Sequence, residues 1–383
     1  MSIRLAIIGM GNMGCGYTQM ITSGKVTGAK IVAVTRIRPE RREQVKELIE
    51  QDVPVYQTAD DLYADIRSGK LNVDAILIAT PHKAHEKQMV EAMEMGLHVL
   101  CDKPSGVYSR QARIMGETAA KHPELIYAMV FNQRMNPVYR KMKEIIDSGI
   151  YGKMKRVNWI MSDWYRPDVY YKAVAWHGKW DTDGGGLLLN QCPHNLDLLQ
   201  WICGMPVSVQ AFCKEGKYHD IEVEDELTAY LEFENGVTGI FYSTTGEALG
   251  INRLEISLED ALLVCEKGKL SVRELGFHEP EYRKTATLQF EHFDGTWKDI
   301  PCEEEDKKHA GILQNFINAV AGTEPLLVEG VEGSKSLILA NAMYLSSWKK
   351  QMVDLPVTME EMYAFESAFE EELEKKIQEY ANK

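Results

Sequence analysis

IRLAIIGMGNMGCGYTQM, residues 3–20, sets three glycines in the spacing G-x-G-x-x-G directly after an apolar run. The run at 3–8 reads as a buried strand, and the residues that follow Gly9, Gly11 and Gly14 can wind into a helix. In that layout the first glycine allows a tight turn, the second lets backbone approach a pyrophosphate, and the third lets helix and strand pack closely. The phosphates would lie against N–H groups at a helix N-terminus. Asn12 and Met13 sit inside the same turn and join the glycines as candidate cofactor contacts. Glycines also punctuate ordinary strand-to-helix loops, so the spacing alone leaves a nucleotide site and a plain turn both open.

The sequence that follows favours the first. Strand-like runs at 30–35, 75–79 and 98–101 alternate with helix-like segments at 41–51 and 85–95. This is the pattern of βαβ units, which build a parallel sheet with helices on both faces, an α/β arrangement. Ligands of such sheets bind beyond the carboxyl ends of the strands, where the strand order reverses. The residues to inspect are therefore 9–13, Arg36, 80–82 and 102–104.

Near residue 130 the rhythm changes. A helix is predicted over 137–148, and strands over 155–161, 207–213, 227–233, 237–243, 254–257, 261–265, 270–273 and 287–291, with Asn235-Gly236 marking a hairpin. This is an α+β domain on a mainly antiparallel sheet. Helices are predicted over 311–320, 334–349 and 359–380, the last with Met362, Phe365, Phe369 and Leu373 on one stripe. The boundaries expected are 1–130, 131–357 and a C-terminal amphipathic helix at 358–383.

Composition narrows the function. The 383 residues carry a formal net charge of -14, which repels duplex nucleic acid and anionic membranes. No run is apolar enough for a membrane span, and the seven cysteines show no C-x-x-C pairing, so a cytoplasmic protein with reduced thiols is expected. His82 and His85 are three apart, but no further ligands complete a metal motif, so no metal is expected. The G-x-S-x-G elbow of acyl-transfer enzymes is absent.

ATPHKAH (79–85), GLHVLCDKPSG (96–106), NQRMNP (132–137), GGGLLLNQCPHNLDLLQWICG (184–204) and FINAVAGTEPLLVEGVEGSKSLILANAMYLSSW (316–348) resemble, in order, the successive signatures of the Gfo/Idh/MocA oxidoreductase family. The resemblance implies an N-terminal Rossmann domain and a C-terminal domain with an open, largely antiparallel sheet that often builds homodimers and homotetramers. It implies NAD(P)-linked oxidation or reduction of sugars, cyclitols and related polyols.

Carried over residue by residue, the resemblance makes Lys103, in Asp102-Lys103-Pro104, the lysine that reaches the nicotinamide ribose and the substrate hydroxyl. An ammonium there can hold a developing alkoxide. His194 matches the general acid/base, a task suited to imidazole. Many members carry an aspartate four residues earlier, and here the position is Asn190, which can cap the next helix or bond a substrate hydroxyl. Thr80 and Pro81 fall near the cofactor and Asn132 near the substrate, while His85 lies near the nicotinamide or merely starts a helix.

After the second strand an acidic residue normally accepts from the adenosine ribose, but TRIRPERR (35–42) offers Arg36 and Arg38. Guanidinium forks suit a phosphate, which favours NADP over NAD. The segment SDWYRPDVYYKAVAWHGKWDTDGGG (162–186) is dense in aromatics, with Arg166, Tyr170, Trp176 and His177 as candidate walls for a sugar ring. Two alternatives share the motifs: a redox-neutral enzyme that holds its nicotinamide through transient 3-keto formation for glycoside cleavage, and a non-catalytic nucleotide-sensing regulator. The retained Lys103 and His194 speak against the latter.

Overall fold

The computed structural model describes residues 2–382. They form two compact units, one from residues 2–135 and 307–337, the other from residues 136–306 and 338–382.

The first unit is built on six strands: β1 (Ile3–Ile8), β2 (Ala29–Thr35), β3 (Val55–Tyr56), β4 (Ala75–Ile78), β5 (His98–Cys101) and β6 (Tyr127–Met129). They pair in the order β3-β2-β1-β4-β5-β6, every pair parallel. The order reverses between β1 and β4, as in a Rossmann sheet, and ligands of such sheets bind at the carboxyl ends there. Leu5 to Ile8 and all of β4 are buried, because helices cover both faces of a parallel sheet and leave no polar side.

Two segments depart from expectation in this unit. The helix predicted over 41–51 is broken into 3-10 turns at Pro39–Arg41 and Glu43–Val45 and a short α-helix, Lys46–Glu50. Only Val45 and Leu48 are buried along it, too few apolar side chains to pin a continuous helix. Helix Lys308–Val320, counted with the second domain in the sequence, packs with the first unit instead. Its Ile312, Leu313, Phe316 and Ile317 are part of the core that includes β1 and β4.

The second unit carries nine strands: β7 (Met154–Met161), β8 (Ser208–Glu215), β9 (Glu224–Glu232), β10 (Thr238–Thr244), β11 (Asn252–Leu258), β12 (Ala261–Glu266), β13 (Lys269–Glu274), β14 (Thr296–Ile300) and β15 (Val353–Asp354). Their order is β14-β13-β12-β11-β7-β10-β9-β8-β15, antiparallel throughout except for β7 with β10. Alternation along β9 buries Leu227, Ala229 and Leu231 and exposes Thr228 and Tyr230, the mark of a sheet with one covered face. The expected hairpin forms, with Asn235 and Gly236 both at positive φ between β9 and β10. Residues 287–291 form no strand. Alternation put Leu288 and Phe290 on one side, but both are exposed, and Thr296–Ile300 takes the place beside β13.

The helix predicted at 137–148 forms as Pro137–Ser148. The Asn136 side chain accepts from the Val138 N–H, Pro137 opens the helix, and Gly149 closes it in the left-handed conformation. Helix Met359–Ala381 starts in a capping box of Thr358 and Glu361 and buries Phe365, Phe369 and Leu373 of the predicted stripe. Phe369 stacks on Trp348, which in turn stacks on Tyr344. Among the described residues, no helix is long and apolar enough to cross a membrane, and all seven cysteines are free thiols.

Candidate active site

In the first unit the cofactor candidates gather at the carboxyl ends of β1, β2, β4 and β5. Gly9 has φ +97°, and a Cβ there would lie 2.4 Å from the Ala79 carbonyl oxygen; a Cβ on Gly14 would overlap the Gly9 carbonyl. These two glycines serve close packing within the chain. Gly11 differs: a Cβ on it would meet nothing within 4 Å. No contact inside the protein demands a glycine there, and the position is open at the start of the 11-residue helix Asn12–Thr22, which no side chain caps. Such a start presents N–H groups and a partial positive charge. The residues present therefore fit a bound dinucleotide pyrophosphate, with Gly11, Asn12 and the partly exposed Met13 against it. Thr35, at the end of β2, fixes the turn by accepting from the Gly9 N–H at 2.9 Å.

Arg36 and Arg38 are exposed just beyond β2, and Arg38 pairs loosely with Glu40 at 4.0 Å. The Thr80 hydroxyl donates to Gln88 Oε1 at 2.7 Å, and Pro81 precedes the 3-10 turn His82–Ala84. His85 is buried, with Nδ1 2.8 Å from the Pro104 carbonyl and Nε2 2.8 Å from that of Thr80. Both ring nitrogens thus meet backbone carbonyls, and His85 braces two loops at the start of helix His85–Glu94. Burial pushes its imidazolium down while the two carbonyls favour it.

Lys103 follows β5. Its N–H donates to Asp102 Oδ1 at 2.9 Å, and the other oxygen of that buried carboxylate accepts from the Tyr17 hydroxyl at 3.1 Å. Burial and the neighbouring carboxylate push the Tyr17 phenol well up, so it stays a donor. Asn132, a substrate candidate, is buried in the 3-10 turn Asn132–Met135 of this unit.

In the second unit the aromatic segment forms a connected wall. Tyr170 stacks on His177 with centroids 4.8 Å apart, Trp176 meets His177 edge-on at 4.1 Å, and Arg166 lies 5.1 Å from the Tyr170 ring and 5.4 Å from that of Trp164. The Tyr170 hydroxyl accepts from Gln191 Nε2 at 2.9 Å, tying the wall to the segment before His194. Asn190 ends the short helix Leu187–Asn190 and is not a cap; Cys192 precedes helix Pro193–Cys203, in which His194 is the second residue. Sequence reasoning missed three supports. Asp183, Gln191 and Glu224 hold Asn190, Tyr170 and the Gly186 turn respectively. Asp183 could have been noticed as an acid directly before three glycines; Glu224 gave no local signal. Among the described residues, no group of three or more His, Cys, Asp or Glu side chains is placed to hold a metal ion.

The known proteins agree with this division. Residues 3–130 match the model of the oxidoreductase family with an NAD-binding Rossmann fold, and residues 139–264 match the GFO/IDH/MocA C-terminal domain. Myo-inositol 2-dehydrogenase of Thermotoga maritima is 24% identical over 362 residues, 92% of this chain and 98% of that protein. Inositol 2-dehydrogenase of Rhodococcus erythropolis is 30% identical over 265 residues, 65% of this chain and 69% of that one. Among solved structures, the WlbA dehydrogenase from Bordetella pertussis, in complex with NADH and UDP-GlcNAcA, is 25% identical with a TM-score of 0.75, covering 94% of this chain and 100% of that chain. A levoglucosan dehydrogenase in complex with NADH shares the fold at 17% identity, with a TM-score of 0.75 and coverage of 94% and 100%. With its glycine turn, its two sheets and matches to both domain models, this chain belongs to the Gfo/Idh/MocA family of oxidoreductases.

Proposed function

We propose that the chain is an NAD(P)-dependent oxidoreductase acting on a CH–OH group of a sugar, cyclitol or glycoside. The observation that carries the reading is Gly11, whose missing side chain leaves room at an uncapped helix start. The relatives named for inositol and levoglucosan support the substrate class. When bound, the nicotinamide supplies the hydride acceptor or donor. The chain's own residues divide the rest of the work. Lys103 places an ammonium at the substrate hydroxyl, lowering the cost of developing negative charge on its oxygen. His194 takes or returns the proton. Asn190 bonds a second hydroxyl, and the wall of Arg166, Tyr170, Trp176 and His177 lies against the C–H face of the ring.

NADP is favoured over NAD because Arg36 and Arg38 stand exposed beyond β2 with no acidic side chain at residues 35–38. Half-exposed Phe212 and Tyr230 on the open sheet face favour a homodimer or homotetramer. Seven free thiols favour the cytoplasm, and the net charge of -14 favours a partner that is neither nucleic acid nor membrane.

The test is nicotinamide absorbance with NAD and NADP against a panel of sugars, cyclitols and glycosides. Turnover of at least one is expected, with NADP bound more tightly and with Lys103→Ala and His194→Ala slower by ~10²- to 10⁴-fold. Wild-type turnover in His194→Ala, or cofactor binding with no oxidation or reduction of any polyol, would sink the reading.

A further inference from the structure

Lysines gather where the overall charge of the chain would not put them. The net charge is -14, yet in the second unit a cleft of about 460 Å³ is lined by Lys214, Lys217, Lys350 and Lys376. Three elements bring them together: β8 and the turn after it carry Lys214 and Lys217, Lys350 follows helix Gly333–Lys349, and Lys376 comes from helix Met359–Ala381. One carboxylate, that of Glu215, shares the lining, and it is taken up: Lys376 Nζ lies 3.0 Å from its Oε1, and the Tyr380 hydroxyl donates to its Oε2 at 2.9 Å. Lys376 also stands 3.4 Å from Glu379, and Lys217 pairs with Glu226. Lys214 and Lys350 are exposed, and neither meets a carboxylate within 4.0 Å among the described residues. Trp348 lines the same cleft. Its ring is held by Tyr344 and Phe369, stacked at 5.4 and 5.5 Å, and by Trp180, edge-on at 5.3 Å. Its Nε1 is buried and finds no acceptor in the protein. An indole N–H can only donate, and buried ones are as a rule bonded, so this rigid side chain carries a donor with no use inside the fold. Beside it the Ser347 hydroxyl accepts from the Cys213 N–H at 2.9 Å and keeps its own proton to give.

We propose that this cleft binds a phosphate dianion, either free or as the monoester of a small sugar or polyol. Charge sets the class: Lys217 and Lys376 are offset by carboxylates, whereas Lys214 and Lys350 leave an excess that a doubly charged anion balances and a single carboxylate does not. Ammonium groups act as point charges, which suit the tetrahedrally arranged oxygens of phosphate, and the lining holds no arginine, the residue whose planar fork matches a carboxylate. The Trp348 N–H and the Ser347 hydroxyl add neutral donors. The nucleotide turn belongs to the other unit, and the proposal does not rest on the roles given to Lys103 and His194.

The experiment titrates the full-length protein by calorimetry with inorganic phosphate, glucose 6-phosphate and glucose at fixed ionic strength. Wild type is compared with the double variant Lys214→Gln/Lys350→Gln and with Trp348→Phe, and melting temperature and nucleotide affinity are measured for each. The lysine variant is expected to lose at least roughly tenfold in affinity for both phosphates, the scale of charge-assisted contacts, and added salt should narrow its difference from wild type. Trp348→Phe keeps an aromatic ring in the stack and removes the N–H, so its loss should be smaller, about two- to tenfold. Glucose should show no difference between wild type and the lysine variant, and nucleotide affinity should be unchanged throughout. Tighter binding of glucose 6-phosphate than of inorganic phosphate would assign the cleft to a phosphorylated polyol, and equal binding to the free ion. No binding of either phosphate by wild type overturns the proposal. So does full phosphate affinity in the lysine variant, because the ion would then be held elsewhere, the nucleotide turn included. A lowered melting temperature alongside that full affinity would leave Lys350 only the task of complementing the end of its helix. An equal loss for glucose also overturns it, since the lysines would then not be reading charge.

Discussion

Gly11 carries more information than its two neighbours in the motif, because they are explained by packing and it is not. A side chain on Gly9 or Gly14 would strike backbone of the protein itself, whereas one on Gly11 would project into unoccupied space. Gly11→Val should therefore fold with a melting temperature close to wild type and lose nucleotide binding by at least tenfold, since the branched side chain fills the position a pyrophosphate must approach. Titration of nucleotide into the folded variant decides it; unchanged affinity would reduce the turn to a loop. At this scale the sequence was legible where chemistry repeats in a short pattern. Gly9, Gly11 and Gly14 could all be named from their neighbours. Asp183, Gln191, Tyr17 and Thr35 could not, since each acts through a partner brought near only by folding. Nothing in ATPHKAH tells that both nitrogens of His85 end on carbonyls.

Elements were legible in proportion to how much of their stability is local. Pro137–Ser148 carries its own cap, its own proline and its own stop, and its limits match the expectation. Residues 287–291 and 296–300 show the opposite case. Alternation marks a strand only when a partner and a covering layer exist, and the choice of Thr296–Ile300 to pair with β13 is made across the sheet. Helix Met359–Ala381 lies between these limits: its capping box is local, but its place depends on Phe369, fully buried and stacked on Trp348 at 5.5 Å. Phe369→Ala should destabilise the second unit by about 3–5 kcal/mol, the usual cost of emptying an aromatic site in a core. Denaturant unfolding followed by the fluorescence of that aromatic stack checks it; a loss below ~1 kcal/mol would mean that the helix is held elsewhere.

For the whole molecule, stability should depend on pH through Glu224. This carboxyl is fully buried in the second unit and pushed up to about 8 by burial, against three donors that favour its charge: the N–H groups of Gly186 and Leu188 and the Tyr344 hydroxyl. Its folded value lies above the unfolded one. Below the unfolded value, near pH 4.3, both states hold the proton and its contribution is fully present. Between there and about pH 8 the unfolded chain releases a proton that the folded state keeps, so stability falls as pH rises, by up to about 1.4 kcal/mol per pH unit. Above that window the loss is complete. Melting temperature should therefore decline between pH 5 and 8 more steeply in wild type than in Glu224→Gln, and parallel curves would mean that the carboxyl is already charged in the folded protein.

The division of the chain has a consequence for its biosynthesis. The first unit takes the core side chains Ile312, Leu313, Phe316 and Ile317 from a helix that follows all of residues 136–306 in the sequence. At the usual ribosomal pace of ~5–20 residues per second, the dinucleotide-binding half must wait roughly 10–30 s with one flank of its core uncovered while the intervening unit is made. During that interval the nascent chain exposes an apolar surface that its own later segment will cover. The order of segments along the chain thus makes completion of the first unit's core a late event, and translation arrested before residue 307 leaves an amino-terminal half without its closing helix.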